Sequence, residues 1–117
     1  MASISIERLS SLFQRELAII VNKDNRSEAV GYINITEVRV TRDLSYATIY
    51  YTILSDKPED LKKASTLLDT INKTVRKELA SKVNNLRKMP ELLFKYDEAL
   101  AYGNHIDKLL KTIKDDK

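Results

Sequence analysis

Six cations fall within seventeen residues of one another: Lys73, Arg76, Lys77, Lys82, Arg87 and Lys88, with Glu78 the single acid between Lys73 and Met89. The stretch just before, Asp56 to Asn72, holds Lys57, Lys62 and Lys63 against Asp56, Glu59, Asp60 and Asp69. Bases segregated in this way can neutralise phosphates, which positions a nucleic acid without reading its sequence. A helix dipole also favours acids first and bases last, but its influence is confined to the terminal turn. This basic run covers several turns. Lys73, Arg76 and Lys77 also fall close together on one helical face. A merely solvated basic face is the plain alternative.

Other chemistries find little to use. The chain has no cysteine, which excludes disulfides, Cys-ligated zinc and thiol catalysis. His105 is the one histidine, and near a helix start it reads as structural or solvated. Asp115 and Asp116 read as a frayed tail. No nucleophile-elbow glycines flank any serine. With only Gly31 and Gly103, there is neither a G-x-x-x-x-G-K phosphate loop nor a G-x-x-G clamp for single strands. The expectation is a protein that is not an enzyme, with no metal, cofactor or small-molecule substrate. Tyr46 and Tyr50 could stack on bases, or simply line a solvent-facing sheet.

The 117 residues read as one domain, 1–117, with a net charge of +3 and a pI of about 9.1. That balance is only mildly basic, so the distribution of charge matters more than its sum. No apolar run approaches the roughly 18 residues of a membrane span. The N-terminus, Met-Ala-Ser-Ile-Ser-Ile-Glu-Arg, lacks a basic region followed by an apolar one. A soluble, cytoplasmic protein is expected.

The basic run has to be held by regular elements. Ser3 or Ser5 can cap a first helix whose stripe is Ile6, Leu9, Leu12, Phe13, Leu17 and Ile20, fading near Val21. Ile33 to Thr41 reads as a strand with broken parity: Ile33 and Ile35 share one face, Val38 and Val40 the other. A β-bulge near Thr36 and Glu37 reconciles them. Arg42 to Ser45 is the hairpin connection. Tyr46 to Leu54 is the clearest strand, with Ala47, Ile49, Tyr51 and Ile53 on one face. Asp56 and Glu59 form a capping-box pattern, with Pro58 suited to a first turn.

The long helix that follows buries Leu61, Ala64, Leu67, Leu68, Ile71, Val75 and Leu79. Pro90 lacks a donor and biases Met89 away from helical angles, so the helix ends before them. Leu92, Phe94 and Tyr96 mark a last strand. Asn104 can cap a terminal helix with the face Ile106, Leu109, Leu110 and Ile113. A helix of this length between the second and third strands implies a parallel, right-handed crossover, with the long helix beside the first one. The fold class is α+β: a three-stranded mixed sheet covered on one face by helices, in the order α-β-β-α-β with a C-terminal helix.

Three blocks of this sequence carry a likeness. One is Val38 to Tyr51, Val-Arg-Val-Thr-Arg-Asp-Leu-Ser-Tyr-Ala-Thr-Ile-Tyr-Tyr. Another is Leu86-Arg87 with Pro90-Glu91-Leu92, Phe94 and Asp97, and the last is Gly103, Ile106, Asp107, Leu109 and Leu110. In order and spacing they resemble ribosome-binding factor A, a bacterial assembly factor for the small ribosomal subunit, over nearly the whole chain.

The resemblance implies a type II KH-like fold without the gripping loop. It also implies binding to the free small (30S) subunit during late maturation, with contacts to 16S rRNA around its 5′-terminal helix. On that reading Lys73, Arg76, Lys77, Lys82, Arg87 and Lys88 are the RNA contacts of a monomer, with Arg26, Arg39 and Arg42 secondary. The family's Ala-x-Gly kink reads Ile71-Asn72-Lys73 here, so a milder kink, or one moved towards Ala80 or Asn84, is expected. Its Asp-Pro-Arg turn reads Asp24-Asn25-Arg26. The alternative is a protein–protein module using its sheet face or edge without touching RNA.

Overall fold

The computed structural model describes residues 5–83, 86 and 88–100. Helix α1 (Ile6–Lys23) starts at Ser5, whose hydroxyl accepts the Arg8 N–H at 3.2 Å, with Glu7 in the first turn. Its buried face is Leu9, Phe13, Leu17, Ile20 and Val21. Strand β1 (Ile33–Val40) pairs antiparallel with β2 (Tyr46–Ile53). The register slips between Ile35 and Glu37, so Thr36 is the bulged residue and the expected break in parity is present. Ala47, Ile49 and Tyr51 are buried, while Tyr46 points outward and is about half exposed.

Helix α2 (Pro58–Lys82) then crosses over, and β3 (Glu91–Tyr96) pairs parallel with β2, giving the sheet order β1-β2-β3. The core of α2 is Ala64, Leu68, Ile71, Val75 and Leu79, whereas Leu61 and Leu67 are only half buried. The helix runs through Ile71-Asn72-Lys73 without a break. With no glycine there, each residue keeps ordinary helical propensity and Ile71 anchors the turn in the core.

Two local expectations are corrected. The capping box at Asp56 does not form: Lys57 is the N-cap residue with no side-chain cap, and Pro58 takes the first turn. Ser55 instead accepts the Lys57 N–H at 3.2 Å and donates to Asp60 at 2.6 Å, so the nearby hydroxyl and a different acid shape the start. The other is Asn22 to Ser27, which as a polar run with no period gives no sign of a regular element. A short 3-10 helix covers Asn25–Ala29, where Asp24 accepts the Arg26 N–H and Ser27 donates to the Val21 carbonyl. Hydrogen bonds hold the turn that proline would otherwise stiffen.

The hairpin turn is tightly wired. Thr41 Oγ1 accepts the N–H groups of Ser45 and Tyr46 at 3.1 Å and donates to Asp43 at 2.8 Å. These bonds hold Leu44 at φ +60°, unusual for a side chain of that size, while its side chain packs against the core. Thr36, at the bulge, donates to Asp97 just beyond β3, joining the two outer strands. The expected C-terminal helix, with Asn104, His105 and the Ile106–Ile113 stripe, lies outside the described residues.

Candidate nucleic-acid interface

The buried residues of α2 recur every three or four positions, which fixes the opposite face outward. Lys73 and Lys77, four residues apart and so roughly 5–6 Å between Cβ atoms, both lie exposed on that outer face. Lys62 sits three turns earlier on the same face, a cation that charge counting had assigned to the acidic half. Lys82 is exposed at the last helical residue, where it complements the dipole. Glu78, the one acid in the run, is engaged by Lys23 of α1 at 2.8 Å. The acid is therefore partly neutralised from another helix, on the α1 flank of α2.

Other expected cations have different surroundings. Arg76 lies on the flank of α2 facing β3: its Nε donates to the Pro90 carbonyl at 2.9 Å and its Nη2 to the Met89 carbonyl at 2.6 Å. Arg26 is held in a two-pronged pair with Asp24, at 3.0 and 2.9 Å. Each partner stabilises the other's charge, so the Arg26 guanidinium is pushed up and the Asp24 carboxyl held down. Arg39 pairs with Glu37 on the open sheet face and lies over the Tyr50 ring, 5.4 Å from its centroid. Arg42 is exposed in the hairpin turn, with no acid partner among the described residues. Lys88 is exposed, its Nζ 3.5 Å from the Ser45 hydroxyl of that same turn. Arg87 lies outside the described residues.

The structure thus sorts eight of the nine sequence candidates by their environment. Lys73, Lys77 and Lys82 share α2, and Lys88 joins Arg42 at the hairpin turn. Arg26 and Arg39 are each matched by an acid two residues away, a spacing visible in the sequence as Asp24-x-Arg26 and Glu37-x-Arg39. The role of Arg76 is harder to foresee. Its one sequence signal is the Asn72–Arg76 pair, four apart beside the apolar stripe, because Asn72 donates to the Leu92 carbonyl at 2.9 Å from the same flank.

This arrangement defines the class: a type II KH-like α+β domain with an open sheet face on one side and an exposed lysine-bearing helix on the other. The ribosome-binding factor A family model matches residues 5–110. The chain belongs to the ribosome-binding factor A family. It is 50% identical over 107 residues to ribosome-binding factor A of Phytoplasma mali, covering 92% of this chain and 94% of that one.

Solved structures bear on the fold. The crystal structure of ribosome-binding factor A from Thermus thermophilus matches with a TM-score of 0.68 at 23% identity, covering 81% of this chain and 98% of that one. A homology model of the Thermus thermophilus protein, fitted into a cryo-EM map of a 30S complex of that factor, matches with a TM-score of 0.62 at 22% identity. It covers 78% of this chain and 93% of that one.

Proposed function

We propose that this chain is a non-enzymatic ribosome assembly factor that binds the free small (30S) ribosomal subunit. There it assists late maturation of 16S rRNA near its 5′-terminal helix. Family membership and the 30S complex of the Thermus thermophilus relative support the partner. The observation that carries the contact is the exposed Lys73–Lys77 pair on the outward face of α2, whose opposite face is anchored in the core. Long-stemmed ammonium groups there can reach phosphates without reorganising the fold, and such contacts fix orientation and leave base identity unread. Lys82, Lys88, Arg42 and Arg87 extend the footprint.

The alternative, a protein module with no RNA contact, has only part of each sheet edge to use. Side chains from α1 and α2 already occupy backbone groups on the outer edges of β1 and β3. Its sheet-face version keeps Tyr46 and Leu93, both substantially exposed. Co-sedimentation with separated small subunits, large subunits and intact ribosomes distinguishes the readings. Binding to free small subunits alone is expected; equal binding to all three would indicate nonspecific charge attraction.

A further inference from the structure

Of the described cations on α2 and the corner after it, Arg76 is the one whose head group holds backbone carbonyls. Its guanidinium spans the consecutive carbonyls of Met89 and Pro90, at 2.6 and 2.9 Å, and lies 3.8 Å from Glu91 Oε1. Pro90 is fully buried, so the corner it forms is part of the packed interior. Next to that corner is Lys88, and the Glu91 N–H donates to the Ser45 carbonyl at 3.0 Å, bringing the corner onto the hairpin turn. A planar guanidinium presents several N–H donors in a fixed fork and can hold two carbonyls at once. An ammonium is a point donor on a flexible stem and cannot reproduce that geometry. Glu91 beside the guanidinium also disfavours a phosphate approaching from that side.

We propose that Arg76 is a positioning residue of the RNA interface and not one of its phosphate ligands. It ties the Met89–Pro90 corner to α2, so that Lys88 stands at a fixed distance from Lys73 and Lys77. Arg76 then contributes to affinity through Lys88. This inference rests on the reading of the lysines as phosphate contacts.

The test compares co-sedimentation of the full chain with free small subunits for the wild type, Arg76→Lys, Lys88→Ala, the double variant and Lys77→Ala. Arg76→Lys keeps the charge yet should weaken binding about as much as Lys88→Ala, on the order of threefold to tenfold. The double variant should bind no more weakly than Lys88→Ala alone. Lys77→Ala, in the Arg76 background, should lower affinity by a similar factor. Wild-type binding by Arg76→Lys, or losses that multiply in the double variant, would overturn the proposal.

If Lys77→Ala and Lys88→Ala both bind like the wild type, the phosphate reading itself fails and takes this inference with it. A measurement free of any variant adds a second check. The Arg76 Nε–H in the wild-type protein should exchange with solvent much more slowly than that of an exposed arginine, and equal rates would contradict the clamp.

Discussion

The side-chain amide of Asn22 pairs with the backbone of Ile33 as a neighbouring strand would, donating to its carbonyl and accepting its N–H, both at 2.8 Å. Gln14, two turns earlier on α1, donates to the carbonyls of Ile35 and Thr36 at 3.2 and 3.3 Å. On the other side of the sheet, Asn72 and Arg76 do the same for Leu92, Pro90 and Met89. Unpaired strand edges invite pairing with other chains. Each helix here blocks part of the edge it packs beside, and the sheet stays at three strands.

The Asn22 contact can be tested by its removal. Asn22→Ala leaves a partly buried N–H and carbonyl of Ile33 without their partners, which costs about 1–3 kcal/mol. Urea unfolding should show a lower midpoint at unchanged slope. An unchanged midpoint would mean that water replaces the amide at no cost.

Lys73 and Lys77 should be separable from stability. Both are exposed on the face of α2 opposite its buried residues, so Lys73→Ala with Lys77→Ala should move the folding free energy by less than about 1 kcal/mol. Binding to small subunits should weaken, and the slope of log affinity against log salt should shrink by about 1.5 to 2. Loss of binding together with a collapse in Tm would assign these lysines to the fold.

Arg26 and Arg39 make the reverse case. Their charges are matched by Asp24 and Glu37 at the surface. Replacing either arginine with alanine should reduce small-subunit binding less than Lys77→Ala does, measured side by side at one salt concentration. A larger loss from Arg39→Ala would move the interface to the open sheet face around Tyr50.

The hairpin turn predicts an acid-resistant group. Hydrogen bonds from Ser45 and Thr41 hold the Asp43 carboxyl down to about 2, from an ordinary value of 3.8. A depressed folded value means that this contribution to stability is complete above the unfolded value. It is lost as pH falls from about 4 through about 2. An NMR titration of the side-chain carboxyl should place its midpoint near 2, and Thr41→Val should raise it. A midpoint near 4 in the wild type would show that the turn hydrogen bonds are absent in solution.

Much of this was legible in the residues. The broken alternation between Ile35 and Val38 announces the bulge, because side-chain parity in a strand admits no other simple repair. The three- and four-residue spacing from Ala64 to Leu79 fixes which face of α2 is buried, and hence that Lys73 and Lys77 point out. The cap at α2 is not legible in the sequence because Ser55, Asp56 and Asp60 can each serve at a helix start, and the choice depends on how the chain leaves β2. A charge count puts Arg76 among the phosphate contacts and does not record which carbonyls lie within its reach. The carbonyls it holds are thirteen and fourteen residues away, brought close only by the turn into β3.

The measurement that bears most directly on the whole reading is the salt dependence of binding to purified free small subunits. If about four to six of the cations neutralise phosphates, log affinity should fall linearly with log salt, with a slope of roughly −3 to −5. A flat response would contradict phosphate contact and leave the exposed tyrosine-bearing sheet face as the surface to pursue.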